Sequence, residues 1–207
     1  MKRLFDNDNA FFKAMNVAFS LIVINLLTLL CCLPIVTIGA AVTAADASLA
    51  RIVMREEAYP SRQFFQAFRK NLRQGVLSFL VFLLLGCILA VDLYGTLTFF
   101  HGAYRRIFLG TTAVLSAVCL VLFQYFYIFL CRYRDSSSTT MKNAAIASVA
   151  YLPRTLGMLV IWAASIFLYL RFLVYAVPFL VLLGFSLPQY CCALLYVPMF
   201  RLIEGGR

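Results

Sequence analysis

The chain has 207 residues, a formal net charge of +10 and a hydrophobic fraction of 64%, and only 13% of its residues are charged. Soluble domains carry roughly 45–50% apolar and about 25% charged residues, so this chain lacks the polar surface to sit in water. A soluble enzyme, a disordered tail and a nucleic-acid-binding module are excluded, and the solvent implied is lipid.

The apolar residues form long runs. Ala14 to Ala45 has no charged residue, Val76 to Phe100 has only Asp92, Ile107 to Cys131 has none, and Leu156 to Phe200 has only Arg171. A bilayer core takes about 20 apolar residues per helical span. The second and third runs fit one span each, and the last fits two. The first run breaks at Pro34, which removes a backbone donor, and at Gly39, which permits the torsions of a turn. Either the first helix is kinked there, or the chain turns at Pro34–Gly39 and a short, Ala-rich segment returns through the membrane. Lys and Arg collect on the cytoplasmic side. A continuous first helix puts twelve of the 18 basic residues inside, whereas the hairpin puts fifteen inside and is the better fit. The run before Pro34 is too long for the apolar core of a cleaved signal.

The expected fold is all-α: one integral membrane domain, 1–207, with five to six transmembrane helices and basic amphipathic cytoplasmic helices. The spans fall at about 14–33, 76–100, 107–131, 154–176 and 178–200, with the short return helix at 40–54. The cytoplasmic helices fall at about 61–73 and 138–151. A multi-pass protein of the cell membrane with a cytoplasmic C-terminus is expected.

Between the first two spans, Phe64, Phe65, Phe68 and Leu72 fall on one face at about 100° per residue, opposite Arg62, Arg69, Lys70 and Arg73. Such a basic amphipathic helix is expected at the membrane surface, with its cations toward anionic headgroups. Phe64, Phe65, Phe68, Arg69, Lys70 and Arg73 are thus either a lipid anchor or a docking surface for a partner. Asp135-Ser136-Ser137-Ser138 offers caps for a second such helix, and Leu152-Pro153-Arg154-Thr155 opens the next span.

Ionisable residues at bilayer depth are costly and are functional candidates by default. Asp92 and Arg171 each lie 16 residues into spans that run the same way, so their depths match and an ion pair between them is expected. Asp46, Asn25 and Gln124 are candidates for a polar path or for contacts between helices. Asp46 could also pair with Arg51. Gly39, Ala40, Thr43, Ala44 and Ala47 have the spacing that lets helices approach closely.

Seven cysteines, Cys31, Cys32, Cys87, Cys119, Cys131, Cys191 and Cys192, form no C-x-x-C pair, and His101 is the only histidine. No metal site, cofactor site, P-loop or nucleophile elbow is expected. Basic charge without solvated arms points to anionic lipid and away from nucleic acid.

The order of Leu4-Phe5-Asp6, Asn25, Leu33-Pro34-Ile35-Val36-Thr37-Ile38-Gly39 with Thr43 and Ala44, then Phe64, Phe65, Phe68 and Asn71, then Leu152-Pro153-Arg154-Thr155, resembles the YesL-like family. These are small bacterial integral membrane proteins of uncharacterised function, and the resemblance runs along essentially the whole chain. Asp46 departs from the pattern, which has a bulky apolar or aromatic residue there. The resemblance implies a bacterial plasma membrane and an association with carbohydrate uptake of the ABC type, because members are often encoded beside such systems. It supplies no catalytic or ligand residues. Two readings follow. One is a non-enzymatic accessory protein that presents its basic helices to subunits of a sugar transporter. The other is an autonomous transporter or channel for a small solute, its path lined by Asp46, Asp92, Arg171, Asn25 and Gln124.

Overall fold

The computed structural model describes residues 10–54, 59–99, 101–133, 135–171, 178–179 and 181–205. Helices α1 (Ala10–Cys32), α2 (Ile38–Val53), α3 (Pro60–Phe99), α4 (Gly102–Arg132), α5 (Ser137–Ala150), α6 (Leu152–Arg171) and α7 (Ser186–Gly205) make up nearly all of it. Among the described residues there is no strand, and six helical stretches are long and apolar enough to cross a membrane. The fold is an all-α, polytopic helical one.

The chain turns after α1. Pro34 is extended, and Ile35–Thr37 form one 3-10 turn. The Thr37 hydroxyl lies 2.6 Å from the Cys31 carbonyl and 2.7 Å from that of Pro34, so it satisfies backbone left open at the end of α1. The chain then folds back. Asn25 meets the backbone of Phe185 and Ser186, and Asp46 meets Gln189, less than one turn along the same helix. On a straight helix, Asn25 and Asp46 would be about 31 Å apart. The hairpin is therefore formed. Gly39, expected in the turn, instead lies in the first turn of α2, and its role is close packing. A Cβ at Gly39 would collide with the Gly75 carbonyl, and a Cβ at Gly75 would come within 2.8 Å of the Ala40 backbone.

α2 is the centre of the bundle. Residues on every side of it are buried, among them Ala40, Ala41, Ala44, Ala45 and Leu49. Its alanines let α1, α3, α4 and α7 all reach it. α4 is surrounded over its last third, where Tyr125 to Leu130 are buried without a break. By contrast, the second half of α3 and the first half of α4 are mostly exposed. They join at His101 and Gly102, whose φ of +64° suits glycine.

The segment 61–73 is not a separate surface helix. α3 runs unbroken for 40 residues, about 60 Å, through that segment and the following span. No proline interrupts it after Pro60, which sits in the tolerated first position. The buried stripe Phe64, Asn71, Gly75, Ser78, Phe82 explains its direction: this face lies against the rest of the bundle, where lipid or a partner was expected. Arg62, Arg69, Lys70 and Arg73 are exposed on the other side. α5 begins at Ser136, which accepts a capping hydrogen bond from the Thr139 amide. Thr155 joins α5 to α6, lying 3.0 Å from the Ser148 carbonyl and 2.8 Å from the Tyr125 hydroxyl of α4. The expected end of that span, 172–176, lies outside the described residues. The last run, read as one span over 178–200, is interrupted at Gly184–Phe185.

Gly75→Ala is expected to destabilise the protein by about 1–3 kcal/mol, because the backbone of Ala40 cannot move aside. Gly86→Ala, at a site with nothing within 4 Å, is expected to be neutral or slightly stabilising. Thermal unfolding of the two purified variants in detergent checks this, and equal losses would remove the special role of Gly75.

Candidate functional site

The interruption of the last apolar run creates the first notable polar constellation. A helix break leaves amides and carbonyls without partners, and lipid offers none. Asn25 on α1 supplies them. Its Oδ1 accepts from the Phe185 and Ser186 amides at 2.9 and 3.0 Å, and its Nδ2 donates to the Val181 carbonyl at 2.7 Å. The Tyr169 hydroxyl of α6 donates to the Gly184 carbonyl at 2.6 Å. One amide thus serves both sides of the break, since its carbonyl oxygen accepts from two amides while its NH2 donates to a carbonyl.

Beside this break lies a cavity of about 240 Å³ between α2, α4, α6 and the start of α7. Its walls are almost wholly apolar: Val42, Leu120, Val121, Phe123, Met158, Leu159 and Ile166, with Trp162 and Phe185 in contact at 5.9 Å between ring centroids. Its polar members form a relay. Gln124 Nε2 donates to Gln189 Oε1 at 3.3 Å, and Gln189 Nε2 donates to Asp46 Oδ1. The Asp46 backbone carbonyl accepts from the Tyr196 hydroxyl at 3.2 Å. Asp46 is fully buried, and its Oδ2 has no hydrogen-bond partner; neither has the buried Trp162 Nε1.

A second cavity, of about 350 Å³, is polar and basic. Arg51, Gln63, Lys70, Asn71 and Arg132 line it, where α2, α3 and the end of α4 meet. Arg132 also reaches Met54 Sδ at 3.5 Å and stacks over Phe200. Arg51 lies here and does not bond to Asp46. Five residues along a helix turn the side chain through about 140°, so the two face different neighbours.

The structure brings together Asp46 and Gln124, through Gln189, and Asn25 of α1 bonds to the start of the helix that carries Gln189, about one turn away. It does not join Asp92 to Arg171. Asp92 accepts from the Thr112 hydroxyl at 2.5 Å, and Arg171 is exposed at the end of α6, which packs on α5 and α7. Of the surface residues expected on 61–73, Phe64 is fully buried and stacks on the half-buried Phe68, 6.3 Å away. Phe65 is 44% exposed and stays at the surface with Arg69, Lys70 and Arg73. Gln189, Trp162 and Tyr169 were not singled out from the sequence. Gly184 and Pro188, which punctuate the last run, were the signal for the break.

The comparison with known proteins adds one finding. Residues 21–93 match the family model described as protein of unknown function, DUF624. The match covers about a third of the chain, from mid-α1 through α2 and most of α3, and includes Asn25, Asp46 and the Gly39–Gly75 crossing. No curated protein and no solved structure matches the chain.

Asn25→Ala is expected to cost at least about 2 kcal/mol, because several backbone groups lose their partners at once. Asn25→Asp keeps the acceptor for Phe185 and Ser186 and loses the donor to Val181, so a smaller loss is expected. Hydrogen exchange at the Phe185 and Ser186 amides checks this: fast in Asn25→Ala and slow in Asn25→Asp.

Proposed function

We propose that the chain is a non-enzymatic accessory protein of the bacterial plasma membrane that works through its basic end. The observation that carries this reading is how the intramembrane polar groups are engaged. Asn25 holds the break of the last run, Gln124 and Gln189 bond to each other, and Asp92 bonds to Thr112. These are contacts between helices, as expected of glue. A sugar crossing through this bundle would need polar partners for each hydroxyl, and the apolar walls of the Asp46 cavity offer few.

The basic residues are arranged differently. Arg69, Lys70 and Arg73 project from α3 beside the polar cleft. Complementary charge steers association, so an acidic segment of a partner suits this end. The cytoplasmic orientation of this end and of the C-terminus rests on the distribution of Lys and Arg. The choice of partner, subunits of an ABC-type carbohydrate uptake system, rests on the YesL-like resemblance, with which the DUF624 match is consistent. The exposed α3 residues also suit anionic headgroups, so lipid and partner share this surface.

Capture of the tagged chain from native membranes is the test. Transporter subunits are expected to co-purify, and the double variant Arg69→Glu with Lys70→Glu is expected to lower their recovery about tenfold while membrane insertion is retained. Recovery of no transporter subunit, together with solute flux by the purified chain alone in proteoliposomes, would overturn the reading.

A further inference from the structure

The Asp46 cavity has no part in the partner interaction, and its chemistry points elsewhere. Leu120 and Ile166 line it and are 62% and 52% exposed, so its rim opens where a membrane protein meets acyl chains. At about 240 Å³ it exceeds the roughly 150 Å³ apolar cavity known to hold benzene and falls just below drug-sized pockets. Apolar walls around a fully buried carboxyl are not explained by packing: Oδ1 is held by Gln189, while Oδ2 is left without a partner. Among buried polar groups such an orphan is rare and costly. Trp162 Nε1, a pure donor, and the Tyr127 hydroxyl, which can donate or accept, are two further orphans on the other walls.

We propose that this cavity binds a small membrane-soluble alcohol, with its apolar body between α4 and α6 and its hydroxyl at Asp46 Oδ2. The choice of head group follows from the orphans at Asp46 and Trp162 taken together, and the Tyr127 hydroxyl can pair with the same group in either sense. A hydroxyl both donates and accepts, so it suits the carboxyl oxygen and the indole N–H alike. An ammonium can only donate, and a carbonyl can only accept. The apolar walls select against sugars, whose remaining hydroxyls would be buried unpaired. Delivery is from the lipid, through the rim at Leu120 and Ile166.

Trp162 is the only tryptophan in the chain and lies in the cavity wall, so it reports occupancy directly. Proteoliposomes of the full chain are titrated with bromohexanol and, separately, with bromohexane, because bromine quenches indole fluorescence on contact. At equal concentration in the lipid phase, bromohexanol is expected to quench saturably, with a half-saturation about tenfold below that of bromohexane. Phenylethanol, which carries no quencher, is expected to restore the signal. Asp46→Ala is expected to close the tenfold gap. Leu159→Phe, which keeps Asp46 and fills the cavity, is expected to abolish saturable quenching by both probes. It also decides the matter should Asp46→Ala fail to fold. Quenching that rises linearly with both probes in the unmodified protein, or a gap that persists in Asp46→Ala, would overturn the proposal.

Discussion

A backbone break inside an apolar bundle is the constraint on which the rest of the molecule depends. Water would satisfy the free amides and carbonyls around Gly184–Phe185, but hydrocarbon cannot. Asn25 therefore has to reach them, and this fixes α1 against the start of α7. With α1 held there, the turn at Pro34 returns the chain as α2, and α2 becomes the element that α3, α4 and α7 share. Tyr169 adds α6 to the same junction through the Gly184 carbonyl. Several helices thus converge on one interruption, and the side chains that serve it are positional in role.

The composition of α2 follows from its place at the centre. A helix touched from all sides must be thin, and Gly39, Ala40, Thr43 and Ala44 make it so. Small side chains cannot fill every gap, and one gap remains opposite α4 and α6. Asp46 lies on its border. A bulky apolar side chain in its place would fill part of the cavity and remove the buried carboxyl. The Gln124–Gln189 relay satisfies half of that carboxyl and leaves the other half open.

The legible part of this structure was carried by contrast. Asn25, Asp46 and Gln124 stand out in apolar runs, and all three engage other helices. Pro34 marks the turn, and the charge count favoured the hairpin that the bundle adopts. The period in 61–73 places Phe64 and Phe68 on the covered side and the four cations on the exposed one, but Phe65 and Leu72 are exposed as well. Periodicity reports that a face is covered and does not say by what, so Phe64 was assigned to lipid or a partner and lies instead in the protein core. Equal spacing gave Asp92 and Arg171 equal depth, but depth does not give direction around a helix axis. The break at Gly184–Phe185 was hidden because Leu182, Leu183, Phe185 and Leu187 keep the hydropathy of a continuous span on both sides of Gly184. Gln189 was obscured with it.

The unbroken course of α3 has a mechanical consequence. With no loop or proline to absorb bending, the helix can act as a stiff beam, and its close glycine crossing, Gly75 on Gly39 and Ala40, would be the fulcrum. The arm from Gly75 to Pro60 is about 22 Å and the arm to Phe99 about 36 Å. A rocking motion imposed at the basic end is therefore returned, enlarged roughly one and a half times and opposite in sense, at the far tip beside His101. The glycine pair that lets two helices touch is also the bearing on which the longer one would swing.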